Sequence, residues 1–190
     1  MASSGPNYAG TAANDASHGT TAFTNPTNAQ GTEDDTYAAT FALSTAPTQY
    51  LKATNFGFAI PSGATIDGIV MEVRKRTHSN PSFVCKDSRV RIVKGGTVSD
   101  TDLAKGTSWP TIVAWDTYGD STTLWGETWT ADDINSSDFG VVISAVENNA
   151  SDAVVADIDA IRITVHYTEG ASQDIVNMSI FKRRKSVFRR

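Results

Sequence analysis

The sequence predicts an all-β protein, two antiparallel sheets packed as a jelly-roll-like β-sandwich. Three observations carry this. From Thr36 onward, apolar residues recur at every second position, the spacing that sends alternate side chains of a strand to one face. Turn-forming clusters at Pro61-Ser62-Gly63, Asn80-Pro81, Gly95-Gly96 and Asn148-Asn149 divide the runs into seven or eight short strands. Only one helix start stands out, Thr130 with Asp133 three residues on, a capping box opening a single turn that ends near Ser137. With so little helix, a sheet must bury its apolar face on another sheet. Periodicity leaves the strand order open.

Residues 1–35 are mostly Ala, Gly, Ser, Thr and Asn, with Met1, Tyr8 and Phe23 as the large apolar side chains, and read as an N-terminal arm or long loop. Residues 36–168 form the sandwich domain. Its first stripe is Tyr37, Ala39, Phe41 and Leu43, and its second Phe56, Phe58 and Ile60, with Gly57 and Pro61-Ser62-Gly63 making a corner. The third is Ile69, Met71 and Val73, with Glu72, Arg74 and Arg76 facing water. Val90 and Ile92 alternate with Arg89 and Arg91; Val141, Ile143 and Ala145 follow, then Ile161, Ile163, Val165 and Tyr167. Asp157 shares the parity of Ile161, so it points inward unless a bulge intervenes, and inward it needs Arg162 or a backbone amide as partner.

At 190 residues the chain is long enough to bury a core without staples, and its single cysteine, Cys85, rules out an intrachain disulfide. No apolar run reaches the roughly 20 residues that span a bilayer, and MASSGPNYAG has neither the basic nor the apolar segment of a secretory signal, so assembly in a cytosol is expected. The net charge of -5 is unevenly placed. Residues 171–190 hold six basic residues against one acidic, for +5, while residues 1–170 hold ten against twenty, for -10. Such asymmetry points to a separate partner for the tail.

Four stretches, FTNPTNAQGTEDDTYA, YLKATNFGFAIPSGATIDGIVMEV, LWGETWTADDINSSDFGVVISA and DIDAIRITVHY, together resemble a β-sandwich module of structural proteins in tailed bacteriophages and prophages. They cover most of residues 22–167, and Phe23 stands where the family pattern has a tryptophan. The resemblance implies decoration, fibre or tail roles and carries over no catalytic residue. The basic tail lies outside it.

Trp109, Trp115, Trp125 and Trp129 fall within one 21-residue interval. Exposed, such rings would stack on sugars; otherwise they cap the core or line a subunit contact. Asp100 with Asp102, and Asp157 with Asp159, pair carboxylates on extended chain but lack the EF-hand pattern, and His18, His78 and His166 show no ligand spacing. No metal site, cofactor or catalytic constellation is therefore expected.

The C-terminal tail, residues 169–190, interleaves Ile180, Phe181 and Phe188 with Lys182, Arg183, Arg184, Lys185, Arg189 and Arg190. Apolar side chains favour docking over display. Nucleic acid, an anionic membrane and an acidic protein surface are the partner chemistries weighed, and other virion proteins, capsid or tail subunits, are the expected ones, with nucleic acid kept for the tail alone and no membrane. The expectation is a non-enzymatic virion component assembled in the bacterial cytoplasm, a head decoration or cement protein forming a homo-oligomer, with a trimer around a symmetry axis as the form considered. The alternative is a tail or fibre module that binds host glycans through the tryptophan-rich loops.

Overall fold

A computed structural model describes residues 1–41, 43, 45–78, 84–148 and 154–170. Among them, ten strands form two five-stranded sheets. Sheet A has the order β1 (Ala2–Tyr8), β10 (Ala156–Thr168), β5 (Thr65–Thr77), β8 (Ala114–Tyr118), with the short β3 (Ala38–Ala39) also paired to β10. Sheet B has the order β2 (Thr11–Asp15), β4 (Tyr50–Thr54), β9 (Gly140–Glu147), β6 (Cys85–Lys94), β7 (Thr97–Val98). Every pairing of these strands is antiparallel. With β2 and β3 set aside, the first of the remaining strands pairs with the last, and the last with the third and the third with the sixth, while the second pairs with the seventh, the seventh with the fourth and the fourth with the fifth. This nesting of chain ends, divided between two sheets, is a jelly roll.

The interior is built where the period-two stripes predict it. Ile69, Met71 and Val73 of β5 and Ile161, Ile163 and Val165 of β10 pack in one cluster with Val90 and Ile92 of β6 and Val141, Ile143 and Ala145 of β9. Phe56, Phe58 and Ile60 are buried as a stripe, yet their segment pairs with no sheet. Gly57, at φ 66°, lets the extended chain turn between the two rings, and Ile60 is instead tied at both its N–H and C=O to the Asn135 side chain (2.7 and 2.9 Å). The predicted capping box is present at α1 (Ala131–Asn135). Gly68 is required by packing: a Cβ there would meet the backbone of Ser121 at 2.2 Å.

Two expectations need correction. Residues 1–35 are not an arm. β1 and β2 are edge strands of the two sheets, and the chain steps between sheets at Ala9 (N–H to Ile161 C=O, 3.0 Å) and Gly10 (N–H to Thr54 C=O, 3.2 Å). An edge strand is held mainly by its ladder, so it needs no large side chains; Ala9, Ala12, Phe23 and Ala29 suffice to anchor the segment in the core. The first stripe is also out of phase. Ala38, Thr40 and Leu43 are buried, and Phe41 is 75% exposed, because the Thr40 hydroxyl turns inward to accept the Ala156 N–H (2.9 Å). For Asp157 the bulge that keeps it from the interior is present, between Ile158 and Ala160, and its carboxylate meets Arg76 Nε at 2.9 Å and His78 Nδ1 at 3.5 Å.

Candidate functional site

The inward face of β5 does not stay apolar. After Met71 and Val73 the same parity brings Lys75 and Thr77 into the space between the sheets. Across from them, a bulge in β6 between Asp87 and Arg89 switches the inward parity, so that Cys85 and Asp87 face inward as well as Val90 and Ile92. Lys75 and Asp87 side chains are each 1% exposed, and Lys75 Nζ lies 2.7 Å from Asp87 Oδ1. Asp116, on the neighbouring β8, places Oδ2 at 3.1 Å from the same nitrogen, and the Tyr118 hydroxyl also touches it.

Every oxygen of Asp87 is held. Oδ1 accepts the Trp109 indole N–H at 2.7 Å, while Oδ2 accepts the Tyr118 hydroxyl and the Lys105 backbone N–H, both at 2.9 Å. Trp109 and Tyr118 also box the ammonium, their ring centres lying 4.5 and 5.0 Å from Lys75 Nζ. Lys105 binds Asp116 from the outer side. Burial pushes the Tyr118 phenol up, and the carboxylates of Asp87 and Asp116 add to it. Burial also raises Asp116, but Lys105 and Lys75 outweigh it and hold this carboxyl below the usual carboxylate range. Beside the cluster, burial pushes the Cys85 thiol up to about 12, and its Sγ lies 3.1 Å from Thr77 Oγ1.

The outer face of sheet A carries a second polar array. Arg162 grips Glu72 through Nε (2.8 Å) and Nη2 (3.0 Å) and stacks 3.9 Å over Trp115; Arg76 pairs with Asp157 beneath Tyr37; Arg74 joins Asp35 (2.7 Å) to Asp159. Asp159 is fully buried, accepting the Asp35 N–H (3.1 Å) from the loop that crosses this face. These arginines are therefore committed within the chain. On the outer face of sheet B, a depression of about 420 Å³ is lined by Asp15, Ser17, Tyr50, Arg91, Gly96 and Val98.

The tryptophans, expected to cap the core or line a subunit contact, or if exposed to stack on glycans, do not form one surface. Trp109 and Trp125 are buried, and Trp125 donates to the Ile69 carbonyl at 2.9 Å. Trp129 is half-buried, donating to Leu124 (3.0 Å) with its ring against Phe139, and Trp115 lies under Arg162. Asp102 is used locally, accepting the Val90 and Ala104 N–H groups at 2.9 and 3.0 Å, while His18 stacks on Tyr50 and is held low by burial and by Arg89 and Arg91. Among the described residues no group of three or more potential ligands gathers to hold a metal ion. The tail residues Ile180, Phe181, Lys182, Arg183, Arg184, Lys185, Phe188, Arg189 and Arg190 lie outside the described residues.

Sequence reasoning missed the Lys75 cluster. Its signal was available in the parity of β5, where Lys75 follows Ile69, Met71 and Val73 in register and is buried with them. The partners on β6 and β8 were not legible, because the bulge and the strand order decide which side chains meet. No protein-family model, curated protein or solved structure matches the chain.

Proposed function

We propose that the protein is a non-enzymatic structural component of a phage virion, a head decoration protein whose jelly-roll body is attached through its basic, aromatic C-terminal segment. The observation that carries this reading is the division of charge, +5 in residues 171–190 against -10 in residues 1–170. The folded body supports it by what it keeps to itself: its buried lysine and the arginines on the outer face of sheet A are bound by its own carboxylates. The basic tail concentrates cationic and apolar groups in twenty residues, which suits it to meet a partner. Repeated copies on a shell would multiply a modest attachment into a durable one. The glycan-binding alternative draws no support from the tryptophans, since stacking on a sugar needs open ring faces and Trp109 and Trp125 offer none.

Co-sedimentation tests the proposal. The full chain and a chain ending at Gly170 are each mixed with empty shells assembled from the major capsid protein of the same genome, over a range of salt. The full chain is expected to pellet with the shells, less so as salt rises, and the shortened chain to stay in solution. Equal pelleting of the two at every salt concentration overturns the reading.

A further inference from the structure

We infer that Lys75 and Asp87 condense into an intramolecular amide, an isopeptide bond that ties sheet A to sheet B, with Asp116 moving a proton. This inference stands apart from the virion reading and survives its failure.

The geometry contains what such a condensation needs. The nucleophile, Lys75 Nζ, lies 2.7 Å from one oxygen of the acceptor carboxyl, and that oxygen is one bond from the carbon to be attacked. The other oxygen, Asp87 Oδ2, receives two fixed donors, the Tyr118 hydroxyl and the Lys105 N–H, both at 2.9 Å. Two donors on one carboxyl oxygen stabilise the negative charge that develops there as the carbon becomes tetrahedral. Asp116 Oδ2, at 3.1 Å from the amine nitrogen, is a second carboxylate in reach of its protons. Water, which would reverse the reaction, is kept out: the Lys75 and Asp87 side chains are each 1% exposed, walled by Trp109 and Tyr118.

The step balances without a co-reactant. The Lys75 ammonium gives one proton to Asp87 Oδ1 along their 2.7 Å contact, and the freed amine adds to Asp87 Cγ, forming the Nζ–Cγ bond. Asp116 then carries a second proton from that nitrogen to Oδ1, the Cγ–Oδ1 bond breaks, and Oδ1 departs as water. Oδ2 remains as the amide oxygen and Asp116 ends ionised, as it began. One positive and one negative charge vanish together, which removes the desolvation penalty of a buried ion pair. A buried lysine with a single carboxylate would serve as a salt bridge; the second carboxylate on the same nitrogen and the paired donors on Oδ2 are what a reaction uses.

Intact-mass spectrometry of the purified full chain, denatured after folding, reads the outcome directly. The expected mass is one water below that of the sequence, and trypsin is expected to release Lys75-Arg76 joined to Asp87-Ser88-Arg89 as one branched product. Lys75→Arg, which keeps the buried cation, should restore the full mass. Asp116→Asn, checked for a folded far-ultraviolet spectrum, should carry the full mass or acquire the loss far more slowly. A wild-type chain of full mass overturns the inference. So does a water loss that persists in Lys75→Arg, as ring closure at Asp67-Gly68 would give. A bond that forms at an undiminished rate in folded Asp116→Asn overturns the role given to Asp116.

Discussion

The two ends of the sandwich interior are closed by opposite chemistry. β6 runs from Cys85 at one end to Lys94 at the other, and β9 runs back from Gly140 to Glu147 beside it. At the Gly140 end, Phe139 is met edge-on by Phe56, Phe58 and Trp129, at ring separations of 6.4, 5.9 and 5.4 Å. At the Cys85 end stand Lys75, Asp87, Tyr118 and Trp109, a buried polar knot in which each group is defined by its partners. An apolar end is held by area and shape, and tolerates exchange among residues of similar volume. A buried ionic end is held by complementarity, so the loss of one member leaves the others stranded.

The contrast is sharpest in paired substitutions. In an Asp116→Asn background, where Lys75 and Asp87 stay an ion pair, Lys75→Met preserves most of the side-chain volume but strands Asp87, and should cost about 3–5 kcal/mol, read by urea unfolding. In the same background the double variant Lys75→Met/Asp87→Leu should recover a large part of that loss, because no uncompensated charge remains. If the double variant is no more stable than the single one, the knot is held by packing and the contrast between the ends disappears. At the other end, Phe139→Leu should cost no more than about 1.5 kcal/mol by the same measurement, since a neighbouring apolar side chain can settle into the space. A loss as large as that of Lys75→Met would make the aromatic end equally unforgiving.

The two ends also differ in how far they can be read from the sequence. The phenylalanines at 56 and 58 announce a buried stripe by alternation alone, whatever their segment pairs with, and both are buried. The polar knot depends on three facts that alternation does not contain. A bulge turns Asp87 inward, the pairing of β5 with β8 brings Asp116 to Lys75, and the loop before β8 carries Trp109 over both. The N-terminal segment was unreadable for a related reason. β1 and β2 are chosen by main-chain partners distant in sequence, Ala2 pairing with Tyr167 and Thr11 with Thr54, and small side chains give no periodic signal of that. The bulge at Asp159, by contrast, is foreshadowed by the clash between the parity of Asp157 and the cost of burying its charge.

Smaller effects separate the ends further. Near the aromatic end, Thr130 caps α1 by accepting the Asp133 N–H at 3.1 Å, and Thr130→Ala should cost about 1 kcal/mol, with little change in the unfolding slope. At the polar end, acid should find the weakness first through Asp116. Its carboxyl is lower in the fold than in the unfolded chain, so its contribution is fully present above the unfolded value and is lost as pH falls through the folded one. Stability measured below about pH 4 should therefore fall less steeply in Asp116→Asn than in the parent chain. Parallel acid curves for the two would show that Asp116 contributes no pH dependence.

The last test needs no loss of stability at all. Cys85 sits at the polar end, buried, with its thiol pushed up to about 12 by burial, so at neutral pH it is almost wholly protonated and shielded. A thiol-alkylating reagent can reach it only when that end opens. Were the polar end the part of the sandwich that opens first, alkylation would outrun global unfolding and respond weakly to urea. Because Lys75, Asp87 and Trp109 bind the two sheets and the preceding loop to one another at this end, opening there should require the whole sandwich to come apart. Alkylation of Cys85 should then rise with urea along the same slope as global unfolding, and a shallower slope would place the weak point at the polar end.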